Sequence, residues 1–324
     1  MLTTALTRLL GIDVPIIQAG MGGDAGPALA AAVSEAGALG SMGTIGVSPD
    51  AVRANIAALR LLTARAWALN LITFDWAPFT PLLVDIAIEE GVPAVVLSFG
   101  DFGPALGRCK AAGILTLVQV QDAGAARAAL EGGADAVIVQ GNEAGGHTGE
   151  RGTLSFAAQV LDIASETPVV VAGGVGNGRG LAAALAMGAA GVVMGTRFKA
   201  TAEFTATASQ KSAVVASDGS NTAAAPVFDV PYPFAWPRGV VGRAVKSQFY
   251  EDWHGREEGL RAKVAEYPPF GLVAELGKSA ATEINWAGES SGLVGEILPA
   301  AEVVRRTAAQ ADELLARLRA VRSG

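Results

Sequence analysis

Cysteine is nearly absent from this chain. Cys109 is its single thiol, which excludes an intrachain disulfide framework and makes a reducing, cytoplasmic setting the expectation. Histidine is almost as scarce: His147 and His254 stand far apart with no cysteine beside either, so no zinc-ligand spacing exists. No Gly-x-Ser-x-Gly elbow occurs, which counts against acyl hydrolysis. Cys109 falls within a helical pattern, which counts against a covalent thiol mechanism. Basic charge is also short. Lys and Arg number 24 against 31 Asp and Glu, a net charge of −7, so neither nucleic acid nor an anionic membrane is the expected partner. The first ten residues lack a basic n-region, a long apolar core and a small-residue cleavage pattern, so no secretory signal is expected. Mean hydropathy is +0.38, yet no unbroken apolar run reaches the roughly 18 residues of a membrane span.

What the chain has in quantity is Ala, Val and Leu in short runs, punctuated by 41 glycines. Strands are expected over 14–18, 38–42, 67–72, 94–98, 114–120, 136–140, 169–172 and 191–194, with helices between them. Ser48-Pro49 is a specific helix start, and Asp122 and Asn177 are N-cap residues. Eight strand–helix alternations before residue 200 predict an α/β fold, a (β/α)8 TIM barrel. An open doubly wound sheet would have fewer strands. From 201 to 283 the pattern is broken by Pro226, Pro231, Pro233 and Pro237, interleaved with Tyr232, Phe234 and Trp236; a helical or irregular insertion, a lid, is expected there. In 284–324, Val304, Ala308, Ala311, Leu315 and Leu318 recur at helical spacing, predicting a terminal helix packed on the barrel.

The stretch 168–198 organises the rest. It reads as strand, Gly173-Gly174, helix, strand, Gly195-Thr196. Glycines at two successive strand ends let a backbone approach a ligand closely, and each is followed by a helix start, which together predict an anion site. In a barrel of this kind, phosphate is held after the last two strands. His147 lies in the glycine-rich loop 141–149 after the sixth strand, on the face where such barrels build active sites, and imidazole suits proton transfer near neutrality. Glu143 and Glu150 flank it as candidate orienters. His254, within the insertion, reads as a turn-capping residue.

The sequence P-I-I-Q-A-G-M at the first strand, N-L at 70–71, E-A-G-G-H-T-G at 143–149, A-G-G-V-G-N-G-R-G at 172–180 and M-G-T-R-F at 194–198 resembles the nitronate monooxygenase (2-nitropropane dioxygenase-like) family of FMN-dependent TIM barrels. The resemblance implies FMN, with phosphate on Gly173, Gly174, Gly195 and Thr196. It places the isoalloxazine against Ala19, Gly20 and Met21, lined by Asn70, Gln119 and Ala144. It implies that His147 takes the proton α to the nitro group, that electrons pass through flavin to O2, and that the substrate is a small molecule. Two departures stand out. Gln119 replaces the Lys of many relatives, and Met21 is followed by Gly-Gly rather than bulkier residues. FMN-dependent enoyl-acyl-carrier-protein reductases and NAD(P)H:quinone reductases share the Gly-Gly-His loop, so NAD(P)H is the alternative redox partner. A non-catalytic flavin-binding barrel is a third reading. Barrels like IMP dehydrogenase need a cysteine after the sixth strand, which is missing here. Self-association as a homo-oligomer is left open.

Overall fold

The computed structural model describes residues 2–74, 77, 79–234 and 236–321. In chain order the strands are β1 (Ile16–Gln18), β2 (Gly40–Gly43), β3 (Trp67–Thr73), β4 (Ala94–Gly100), β5 (Leu115–Val120), β6 (Ala136–Gln140), β7 (Gly146–Thr148), β8 (Val169–Ala172), β9 (Gly191–Met194), β10 (Thr222–Ala224) and β11 (Val241–Val245). Eight of them form one parallel sheet in the order β1-β9-β8-β6-β5-β4-β3-β2. A parallel bridge between Ile17 and Leu39 joins the two ends, so the sheet closes into an α/β barrel and the open-sheet alternative falls. The expected helix starts hold: Ser48, Asp122 and Asn177 each cap with their side chain, accepting from Ala51, Ala125 and Arg179 N–H.

Both sides of the strands are buried, as continuous apolar runs require. One side packs under the surrounding helices through residues such as Leu69, Val95, Val118, Val137 and Val171. The other fills the barrel with Ile17, Ala68, Val96, Leu117, Ile138, Val170 and Val193. Side chains alternate along a strand. The inward position two residues beyond each of these, toward the C-terminal mouth, is Ala19, Asn70, Ser98, Gln119, Gln140, Ala172 and Gly195. Apolar filling thus gives way to amides, a hydroxyl and bare backbone at the rim.

A short helix, Ala5–Leu10, has no counterpart in the sequence reading. Its Thr4 capping box forms over one turn, Thr4 Oγ1 donates to Ala190 O at 2.6 Å, and Leu6 and Leu10 join the barrel-filling cluster. It plugs the end opposite the mouth. The insertion differs from expectation too. Besides helices it contains β10 and β11, which pair antiparallel and add β7, the strand carrying His147, as a third strand.

The terminal helix Ala300–Val321 buries Val303, Val304, Thr307 and Ala311, while Leu318 is exposed, so the apolar face ends earlier than the heptad-like spacing suggested. It crosses the helix Gly178–Ala186 at backbone contact: a methyl on Gly178 would lie 2.5 Å from Thr307 O and 2.7 Å from Ala311 N. Gly178→Ala is therefore expected to push the two helices apart and cost about 1–3 kcal/mol, read as a lower urea midpoint; an unchanged midpoint would show that the crossing yields freely.

Candidate active site

Two loops meet at the tops of β8 and β9. Gly173 and Gly174 both have positive φ, 103° and 73°. A methyl on Gly173 would meet Gly141 O and Thr153 Oγ1 at 2.9 Å, and one on Gly174 would meet Glu143 Oε2 at 2.2 Å. Only glycine suits these turns. Among the described residues, the N–H groups of Gly173, Gly174, Val175, Gly176, Gly195 and Thr196 reach no protein acceptor. Val175, Gly176 and Thr196 are buried, and buried backbone donors are rarely left so. Thr153 Oγ1, beside Gly173, is buried without a partner as well. The cradle is thus donor-rich, as an anion site requires. After β9 the cradle includes the start of the short helix Thr196–Lys199, but after β8 it is made by the loop and not by the helix start. Gly178 N–H goes to Gln310 Oε1 at 2.8 Å and Arg179 N–H to Asn177 Oδ1 at 2.9 Å, so the first amides of that helix are already taken.

The remaining expected cofactor contacts cluster around the rim. A methyl on Gly195 would lie 3.5 Å from Ala19 Cβ and 3.6 Å from Met21 Sδ, and one on Gly20 would fall 2.5 Å from Asn70 Cβ. Met21 adopts φ 41°, a left-handed conformation uncommon for a side-chain-bearing residue and often found at functional sites. Asn70 Nδ2 donates to Ser98 Oγ at 2.8 Å and Val96 O at 3.2 Å. Gln119 Nε2 donates to Gln140 Oε1 at 3.2 Å, and Gln121 Nε2 reaches the same oxygen at 2.9 Å. Ala144 lies behind the cradle, its N 3.3 Å from where a Gly173 methyl would sit. Thr196 Oγ1 accepts from Gly288 N–H at 2.9 Å. Ser98, Gln140 and Gln121 were absent from the sequence reading. Ser98 and Gln140 share the inward phase of Asn70 and Gln119, which could have found them.

His147 sits on a strand, not in a free loop. It pairs in register with Gly242 of β11. Its Nε2 is 2.5 Å from Asp229 Oδ1, both side chains being only about one-sixth exposed. Its ring stacks on Trp236 with centroids 3.6 Å apart at 14°, and Trp286 lies at 5.0 Å and 45°. Trp236 also meets Phe74 and Phe99 edge-on at 5.2 and 5.1 Å, which ties His147 to the ends of β3 and β4. Gly242 makes room for this: a methyl there would lie 2.3 Å from the Trp286 ring and 3.3 Å from Asp229 Oδ1. The carboxylate orienting His147 is therefore neither Glu143 nor Glu150. Glu143 accepts from Thr153 N–H at 3.2 Å, and Glu150 lies near Gly239. His254 stacks on Tyr250 and faces Glu257 at the surface. Burial pushes the Cys109 thiol up to about 11, which keeps it inert. Among the described residues no His, Cys, Asp and Glu group could hold a metal ion, and no helix is long and apolar enough to cross a membrane.

A closed barrel of eight parallel strands alternating with helices, with bare amides after its last two strands, is a TIM barrel. The family model for nitronate monooxygenase matches residues 3–308, and the chain belongs to that family of oxidoreductases. It is 30% identical to a probable nitronate monooxygenase of Staphylococcus saprophyticus, over 98% of this chain and 99% of that one. It is 43% identical, over 63% of its length, to a (3aS,4S,5R,7aS)-5-hydroxy-7a-methyl-1-oxo-octahydro-1H-indene-4-carboxyl-CoA dehydrogenase of Rhodococcus jostii, and spans 57% of that relative. Among solved structures it is similar to FabK from Thermotoga maritima (TM-score 0.88, 31% identity, 99% and 100% of the two chains). It is also similar to nitroalkane oxidase from Streptomyces ansochromogenes (TM-score 0.81, 31% identity, 96% and 99%).

The aromatic cover over the mouth depends on a buried cation. Lys199, an 8% exposed residue, donates through Nζ to Asn285 Oδ1 at 2.6 Å and to Trp286 O at 2.7 Å. Burial pushes Lys199 down to about 8, against the attraction of Asp24 and Glu283. An unfolded lysine titrates near 10.5, so between about pH 8 and 10.5 the unfolded chain holds the extra proton and stability rises with pH. Below pH 8 the folded state bears the whole penalty, of order 3 kcal/mol. Unfolding free energies of the wild type minus those of Lys199→Met should climb across that window; a flat difference would remove Lys199 as the source.

Proposed function

We propose that this protein is an FMN-dependent enzyme that oxidises nitroalkanes or their nitronates with O2, using His147 as general base. The observation that carries the reading is the set of unpartnered amides at 173–176 and 195–196, beside Ala19–Met21, with a shielded histidine on β7. In this reading residues 1–200 form the cofactor-binding barrel, 201–283 cover it, and 284–324 pack back onto it. Gly173, Gly174, Gly195 and Thr196 hold the phosphate. Ala19, Gly20, Met21, Asn70, Gln119 and Ala144 surround the ring system. FMN, when bound, supplies the two-electron acceptor and the route to O2.

The chain's own residues do the rest. His147 accepts the proton α to the nitro group, which leaves a nitronate whose charge rests on the nitro oxygens. The rings of Trp236, Phe74 and Phe99 exclude water from that step and offer an apolar wall to a small substrate. The amide rim of Asn70, Gln119 and Gln140 provides oriented dipoles without a fixed charge. The expected partners are the small-molecule substrate and the redox partner, and the acidic chain remains a poor match for nucleic acid.

A second reading is favoured by particular findings. FabK is similar over its full length, and the Rhodococcus relative is a dehydrogenase of a carboxyl-CoA compound. NAD(P)H-dependent reduction, with an enoyl thioester or quinone as second substrate, follows from that side of the family. Anaerobic mixing separates the two. Flavin bleaching by a nitronate and not by NADPH supports the oxidase reading, and the reverse pattern installs the reductase. On the first reading, His147→Ala should retain flavin and lose about 10²–10⁴-fold in kcat/KM on neutral nitroalkanes; full activity in that variant sinks the base assignment. Gly173→Ala, at φ 103° and against Thr153 and Gly141, should purify without the flavin absorbance of the wild type.

A further inference from the structure

We propose that Asp229, supplied by the insertion, is a positioning residue that fixes the tautomer of His147 and makes Nδ1 its proton-accepting atom. This rests on the base role given to His147 above. The argument begins with the shared contact of 2.5 Å between Nε2 and Asp229 Oδ1. A carboxylate oxygen only accepts, so the hydrogen lies on Nε2, and a neutral imidazole with its hydrogen there has its lone pair on Nδ1. The arrangement is held from several sides. Asp229 Oδ2 accepts from Gly242 N–H at 3.3 Å, and Gly242 is the register partner of His147 itself. The carboxylate is thereby tied to the same pair of strands as the ring it orients. The ring plane is set by the stack on Trp236 and the tilted contact with Trp286. At 15% and 16% side-chain exposure the pair is shielded from water, where such a contact has its greatest influence.

The chemical consequence concerns one substrate form and not the other. With a neutral nitroalkane, the α C–H bond breaks and the proton bonds to Nδ1. The released electron pair becomes the C=N bond of the nitronate, and negative charge moves to the nitro oxygens. His147 becomes imidazolium beside Asp229, so the dyad passes from net −1 to net zero while the substrate passes from zero to −1. Charge is conserved within a few ångströms of a water-poor site. A preformed nitronate has no such proton to give, and the dyad has no step to perform on it. Asp229 therefore sets the preference of the enzyme between neutral nitroalkane and nitronate.

The test uses the flavin-loaded enzyme with ¹⁵N-labelled histidine. In the wild type the ring-nitrogen shifts of His147 should show Nε2 protonated and Nδ1 bare. Asp229→Asn should lose that single tautomer and Asp229→Glu should regain it in part. In the same Asn variant, kcat/KM for a neutral nitroalkane should fall by about 100-fold, at least tenfold more than kcat/KM for the corresponding nitronate. An unmoved tautomer in Asp229→Asn, or an equal loss on both substrate forms, overturns the positioning role. Undiminished nitroalkane turnover in His147→Ala overturns instead the base assignment beneath it, whatever tautomer the spectra show.

Discussion

Everything at the mouth of this barrel depends on the two-residue alternation of its strands. Closure forces one side of every strand into a narrow interior and the other under helices, so both sides must be apolar along most of their length. The inward series ends in a different chemistry. Ala68 is followed by Asn70, Val96 by Ser98, Leu117 by Gln119, Ile138 by Gln140 and Val193 by Gly195. Nothing but phase places these residues on one ring, and a slip of one position would turn each toward the helices. Hydrogen bonds then lock neighbouring members together, Asn70 to Ser98 and Gln119 to Gln140. The rim is consequently a rigid polar layer standing on a packed floor, sealed below by Leu6 and Leu10.

A second unit is built on that layer. The chain leaves β6, folds β7 back as an edge, and receives β10 and β11 from Thr222–Ala224 and Val241–Val245, far along the chain. Register does the work again: Gly242 opposite His147 leaves space for Trp286 and Asp229. Lys199, at the end of the short helix Thr196–Lys199 that follows β9, reaches across to Asn285 and the Trp286 carbonyl. The barrel therefore positions its own cover through one buried cation, and the cover positions the histidine through one carboxylate. Apolar contacts join the two units as well, through Trp236 on Phe74 and Phe99 and through the buried cluster of Ala200, Val214, Val245, Ala287 and Val294.

This division explains what could be read from the chain alone. Strands buried on both faces announce themselves as short apolar runs, and caps such as Ser48-Pro49 and Asp122 are local signals; the barrel and its eight alternations were accordingly visible. So were Gly173-Gly174 and Gly195-Thr196, because a glycine after a strand is also a local signal. The small sheet was not, since β7 and β10 have three residues each, too few for periodicity to register. Asp229 lies 82 residues from His147, in a proline-broken segment, and no spacing rule connects the two. Glu143 was the nearer candidate in sequence, but the cradle fold turns it toward Thr153 N–H. Ala5–Leu10 leaves little trace in the sequence because a six-residue helix carries little amphipathic pattern, although Thr4 marks its start.

The distribution of charge is the last consequence of the architecture. A rim of amides and a hydroxyl contributes dipoles whose orientation is fixed by their mutual hydrogen bonds, and Gln119 keeps the fifth strand neutral where a lysine would have brought a positive charge. Formal charges near the mouth come instead from the Asp229–His147 pair, from Glu143 against Gly174, and from Lys199, whose Nζ is taken up by Asn285 and the Trp286 carbonyl. Dipoles locked in place favour a developing anion without holding it permanently, whereas a fixed cation would bind an anionic substrate before any chemistry. In the proposed reading, a mouth organised in this way directs its electrostatics at the moment of proton transfer. The proposed reading puts the choice between neutral and anionic substrates in the insertion, the part of the chain that the barrel does not need for its own closure.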